Sequence, residues 1–342
     1  MTENIDRDYA YTSEPKHEVR NRFRLFGAIV LILLLLQLIV GWWWSREPAL
    51  FPVRDVTNKE RNVVGDVTLG TMIRVAETLL DKSGGYIAND VTPPGVFLDN
   101  MPSWEFGVLV QIRDLSEVLR DDLSRSQSQS SEDKDLKVAD PLLKFEHKSW
   151  ILPSTEGEYR TAIKHLKNYR KRLFDSTTAK DAQKAEFYAR ADNLNDWLNK
   201  VSKRLGSLSQ RLSSSVGRRA IHTNLAGNIA TTDNLDDQQF EQTPWLKIDN
   251  ELYEARGTTW ALYHLLKAAQ IDFAEVLEDK GATASLDQII RELEATQQTL
   301  WSPVVLNGGG MGVLANHSLV MANYISRANA AIMDLRGLLA RG

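Results

Sequence analysis

The stretch "LFGAIVLILLLLQLIVGWWW", Leu25 to Trp44, constrains this chain more than any other, because it carries no charge over 20 residues. A helix of that length rises about 1.5 Å per residue and spans about 30 Å, the thickness of the hydrocarbon core of a bilayer. Nothing polar in it marks a solvent face, Gln37 is tolerable within a span, and Trp42, Trp43 and Trp44 form an aromatic cluster of the kind that settles at headgroup level. A cleaved signal peptide would have an apolar core of about 7 to 15 residues and a small-residue cleavage site. "GWWWSREP" offers no such site, so the segment reads as an uncleaved signal anchor.

Lys16, Arg20, Arg22 and Arg24 cluster just before the span, whereas Arg46 and Arg54 follow it sparsely. The bias of basic residues toward the cytoplasmic side places the N-terminus inside. The expected organisation is a cytoplasmic tail over 1–24, a transmembrane helix over 25–44, a connector over 45–66 and an all-α domain over 67–342. That domain would stand in the periplasm, with the span in a bacterial inner membrane.

At 43% hydrophobic and 25% charged residues, the 342-residue chain has the balance of folded protein. Its net charge of −4 comes with no long basic stripe, which argues against general nucleic-acid binding. The absence of cysteine excludes disulfides, thiolate zinc sites and a cysteine nucleophile. The six histidines show no metal-ligand spacing, so neither a metal nor a cofactor is expected.

Apolar residues recur at spacings of three and four through Leu69–Leu80, Phe106–Leu119, Tyr159–Leu173 and Ile325–Leu338, each predicting an amphipathic helix. "DKSGGY" stops the first, Ser103 is a plausible N-cap for the second, and Thr155 with Glu158 has capping-box spacing. Long helices are expected over 245–280 and from Ser285. The seam Phe187, Ala191, Leu194, Leu198, Val201, Leu205, Leu208, Leu212 alternates fours and threes. Only "DSTTAK" separates it from the preceding helix, which favours a projecting antiparallel hairpin, with a homodimer through Phe187–Leu212 as the alternative. The serine-rich, charged run 125–140 reads as a flexible linker. No segment sustains a period of two, so the fold class is all-α, a multi-helix bundle.

Among the motifs, Gly310, Gly312 and Ala315 mimic a dinucleotide fingerprint but lack the βαβ context and its acid, which leaves a helix-to-helix loop with an anion site at Gly309, Gly310 and Gly312 as the middle option. His264 shares a stripe with Tyr253, Gly257 and Trp260 and reads as a hydrogen-bonded core histidine. "RTAIKHLKNYRKR" reads as the solvated face of the hairpin, and the tryptophans spread along the domain, Trp104, Trp150, Trp197, Trp245, Trp260 and Trp301, as packing anchors.

The most unusual segment is Tyr86 to Gly107, "YIANDVTPPGVFLDNMPSWEFG". Pro93 and Pro94 are expected to fix an extended backbone, and Val96, Phe97 and Leu98 to tuck into the bundle. Asp99, Asn100, Trp104 and Glu105 remain as candidates for interaction, with Glu105 or Asp99 as acid or base if the domain is an enzyme.

One span, then "YIANDVTPPGVFLDNMPSWEFGVLVQIRD", then "NGGGMGVLANHSLVMANYISRANAA" resembles a family of proteobacterial inner-membrane proteins catalogued as domain of unknown function 2333. The resemblance covers most of the chain and is most specific over Gly85–Asp114 and Asn307–Ala331. It implies an envelope protein and carries no catalytic residues to transfer. The leading expectation is a membrane-tethered module that binds or scaffolds another envelope component. The alternatives are a hydrolase acting on cell-wall glycan and a lipid or small-molecule carrier.

Overall fold

The computed structural model of the chain describes residues 16–56, 63–126, 132–174, 184–219, 240–302, 304–308 and 315–341. α1 (Lys16–Trp44) is the one described helix long and apolar enough to cross a membrane, with a mean hydropathy of 2.7 over its most apolar stretch and only 6% of that stretch buried. Its last turn behaves differently. Gly41 is buried beside Pro94 and Leu98, and Trp44 lies against Gly84. At Gly84 φ is +83° and a Cβ would stand 2.6 Å from the Trp44 ring, so glycine both turns the chain and seats the tryptophan.

The domain is an all-α bundle of α2 (Asp66–Asp81), α3 (Asn100–Val118), α4 (Leu136–Leu143), α5 (Thr155–Phe174), α6 (Ala191–Ser213), α7 (Ile248–Asp272), α8 (Ala274–Asp279), α9 (Thr283–Ala295) and α10 (His317–Leu339). A two-residue antiparallel pair, Arg218–Arg219 with Phe240–Glu241, is the only named sheet among the described residues. At the centre α3 crosses α7 where two glycines meet. A Cβ on Gly107 would lie 2.1 Å from Glu254 O, and one on Gly257 would lie 2.0 Å from Trp104 O. Backbones approach this closely only where side chains are missing, and the fully buried Trp104 and Trp260 fill the flanks with centroids 5.2 Å apart.

The outer helices wrap this pair: α2 packs on α7 and α5, α4 on α5, and α9 on α7 and α10. Cross-links fix their directions. Thr68 N donates to Asp272 at 2.6 Å, so the start of α2 meets the end of α7, and Arg160 pairs with Asp81, which sets the start of α5 beside the end of α2. The end of α2 and the starts of α3, α5 and α7 therefore gather at the end where α1 enters, here the proximal end.

Several expectations change. The α5–α6 hairpin does not form: α6 buries Leu194, Leu198, Val201, Leu205, Leu208 and Leu212 in contact mainly with α10 and α3, while α5 packs on α4 and α2. A heptad stripe specifies that a partner stripe exists and not which one it is. The part of 125–140 assigned to a flexible linker is partly core, since α4 buries Leu136 and Ala139 and the carboxylates of Asp133 and Asp135 bind Arg172. The run Arg160–Arg172 keeps a solvated face on α5, with Arg160, Lys164, Lys167 and Lys171 exposed, while the half-buried Arg170 and Arg172 turn inward to pair with Asp66 of α2 and with Asp133 and Asp135 ahead of α4. Caps shift as well. α3 begins at Asn100, ahead of Ser103. Ser154 accepts from Gly157 N, whereas Thr155 donates to the carbonyls of Glu146 and Ser149. The long helix expected over 245–280 divides at Phe273, which is buried against Phe187.

Candidate functional site

The four residues singled out in the Tyr86–Gly107 segment go to different places. Glu105 is fully buried, and each carboxylate oxygen is occupied: Oε1 accepts from Ile87 N at 2.8 Å and from the Lys82 ammonium, and Oε2 accepts from Ala88 N at 2.7 Å. Burial pushes its carboxyl above the usual range, while Lys82 and the two amides pull against that shift. This glutamate replaces the missing ladder partners of a loop backbone, which is an architectural task. Trp104 is in the core, Asn100 is half-buried with Oδ1 unpartnered, and Asp99 is exposed at the start of α3. The charge of Asp99 adds to burial in raising the carboxyl of Asp249 on α7.

The apolar centre of the segment contradicts its expected burial. Pro94 has a helical backbone and opens a 3-10 turn over Gly95–Phe97, in which Gly95 is buried against Asp90 while Val96 and Phe97 face outward. Successive side chains of so tight a turn diverge, so three consecutive apolar residues cannot share one face. Leu98 alone packs on the core.

The connector is a second ordered element. Glu47 takes Arg256 in a forked pair, with Nε at 2.6 and 2.9 Å from its two oxygens, and the same guanidinium donates to the carbonyls of Thr296 and Gln298 at 3.0 Å. Four residues on, Phe51 stacks on His264 at 3.9 Å and its N–H donates to His264 Nε2 at 3.0 Å, with Nδ1 at 2.7 Å from Trp260 O. The histidine is therefore held as the Nδ1–H tautomer in the core, as its stripe predicted. Its pKa is lowered to about 4, first by burial, with Arg74 and Lys267 adding to the shift.

An accessible polar cleft of about 440 Å³ lies elsewhere, between α3, α6 and α7. Its walls hold Lys200 paired with Glu117, Arg204 with Asp114 and Arg211 with Glu254. At its floor Gln111 is 1% exposed, and neither Oε1 nor Nε2 has a hydrogen-bond partner. Sequence reasoning missed this site because its residues come from three helices far apart in the chain. The one signal was a glutamine on the buried stripe of α3, between Val108 and Leu115.

Gly309, Gly310 and Gly312 lie outside the described residues. Around them Asn307 bridges Asn316 in antiparallel fashion, His317 N donates to Leu306 O at 3.0 Å, and Asn316 caps α10 by accepting from Leu319 N at 2.8 Å. An antiparallel bridge closing a loop is not the strand of a dinucleotide fold. Among the described residues no cluster of three or more His, Asp or Glu could hold a metal ion.

No curated protein and no solved structure matches the chain. A family model does, over residues 17–342, and the chain thus belongs to the family described as uncharacterized proteins conserved in bacteria, domain of unknown function 2333.

Proposed function

We propose that the chain is a single-pass inner-membrane protein whose helical domain stands in the periplasm and binds a mixed-charge segment of another envelope protein in the cleft of α3, α6 and α7. The observation that carries the binding reading is Gln111, a buried amide with no partner at the floor of an open cleft walled by ion pairs. An amide left unpaired costs about 1–3 kcal/mol, and a chain that retains it gains by pairing it with a polar group brought from outside. The anchor reading is supported by the length, apolarity and low burial of α1 and by the basic residues ahead of it. Glu105, the acid on which a hydrolase was considered, has both oxygens engaged inside the fold. A carrier of apolar cargo finds no support in a cleft walled by charged side chains.

The test is a photo-crosslinking residue at Ser207, exposed at the cleft, in the full chain in living cells. A discrete adduct is expected, one that Gln111→Leu removes and that the same probe at Met333 on α10 does not give. No adduct at Ser207, or one indifferent to Gln111→Leu, contradicts the reading.

A further inference from the structure

The proximal end of the domain carries apolar side chains that the fold leaves uncovered. Phe97 is 74% exposed, Trp245 73%, Leu246 76% and Trp301 92%, with Val96 beside them in the turn before α3. Burying any of them was within reach of the sequence, since Trp104, Trp197 and Trp260 are sealed in the core. The buried and exposed tryptophans thus divide by position and not by type. Their expected common role as packing anchors holds for Trp104, Trp197 and Trp260 and fails for Trp150, Trp245 and Trp301.

The uncovered residues converge on the point where α1 enters. Val96 and Phe97 lie between Pro94 and Leu98, the two residues that touch Gly41 of α1. Trp245 and Leu246 form the 3-10 turn that opens α7, whose Tyr253 shares a cleft with Trp42 and Ser45. Trp301 follows Leu300, which lines the same cleft. On α1 itself the tryptophans split: Trp44 is held by the domain, while Trp42 and Trp43 are exposed at this level. At the distal end the exposed apolar residues are aliphatic and scattered, such as Ile271 at the end of α7 and Met333 on α10.

We infer that Val96, Phe97, Trp245, Leu246 and Trp301 form a collar that inserts into the lipid interface around the exit of α1, so that the domain sits on the bilayer instead of hanging clear of it. The occupant is lipid because the collar is continuous with a span whose own sides are bare, and because amphipathic tryptophan rings partition to the headgroup region. The inference rests on the anchor reading proposed above. It adds that the domain has one face committed to the membrane, which leaves the cleft of α3, α6 and α7 directed sideways along the surface.

The chain has no cysteine, so single cysteines can be introduced and spin-labelled without background. The full chain, labelled in turn at Phe97→Cys, Leu246→Cys, Trp301→Cys, Ile271→Cys, Met333→Cys and Leu33→Cys, is reconstituted in vesicles of phosphatidylethanolamine and phosphatidylglycerol. Collision with oxygen, which concentrates in lipid, is compared with collision with a water-soluble nickel chelate. The oxygen-to-nickel ratio at 97, 246 and 301 is expected to exceed that at 271 and 333 at least about threefold, with Leu33 highest. Water-like ratios at the three collar positions with a lipid-like Leu33 overturn the collar and leave the anchor standing. A water-like Leu33 overturns both. Shielding of the collar from both reagents points to a protein covering it and also overturns the inference.

Discussion

Two charged regions share α3 and have opposite fates. Around Glu105 and Lys82 the charges are sealed, and every oxygen of the carboxylate is engaged by a backbone amide or an ammonium. About one and two-thirds turns further along the same helix, Gln111 lines the cleft in which the buried Asp114 and the partly exposed Glu117 meet Arg204 and Lys200. The sealed group holds a loop in place and offers nothing to a ligand. The open group lies within reach of solvent and retains an unpaired amide. Oddness of sequence marked the first region, while accessibility and unsatisfied bonding mark the second.

Substitutions act differently on the two regions, beginning with the α3–α7 crossing on which both depend. Gly257→Ala drives a methyl group into the Trp104 backbone, which cannot withdraw, and should cost more than about 3 kcal/mol. Chemical denaturation should show that variant largely unfolded, with both regions lost together. Glu105→Gln leaves Lys82 buried without its counter-charge and should cost about 3 kcal/mol, read as a lowered denaturation midpoint.

Acid should act on the sealed side next. His264 has a folded pKa of about 4 against an ordinary value of 6.5, so the unfolded chain binds the proton more readily. Its contribution is fully present above about pH 6.5, declines as the pH falls and is lost through pH 4, a span of roughly 3 kcal/mol. A pH series on the wild type and His264→Gln should show this slope only in the wild type. The smallest effect belongs to the open side. Glu117→Gln should cost under about 1 kcal/mol and only at low salt, because its pairs with Lys144 and Lys200 are partly solvated.

Periodicity was a good guide to where helices form and a poor one to what they touch. The stripes of α2 and α5 are in the core, as are those of α3, α6 and α10 apart from the half-buried Phe106, Phe187, Ala191 and Leu338, and "DKSGGY" ends α2 through two glycines of positive φ. The partner of α6 was not legible, because Leu205 and Leu208 would serve against any apolar stripe. α4 was hidden in a serine-rich, charged run, since the two buried acids that lead into it, Asp133 and Asp135, become acceptable only beside Arg172, about 40 residues away. At the site, His264 was readable from its apolar neighbours on one helix. Glu105 was noticed for its setting, and its sealed state depended on where the Ile87 and Ala88 amides fall. Val96 and Phe97 were expected inside because apolar residues usually are, whereas the tight turn over Gly95–Phe97 directs both outward.

The contrast between sealed and open groups is tested most directly by crosslinking from Ser207 in two variants, each with its denaturation midpoint measured. Glu105→Gln should lower the midpoint and, at a temperature where the protein remains folded, leave the adduct intact. Gln111→Leu should hold or raise the midpoint, because it removes two unpaired buried atoms, and should abolish the adduct. Loss of the adduct with Glu105→Gln in folded protein, together with its survival in Gln111→Leu, would contradict the account.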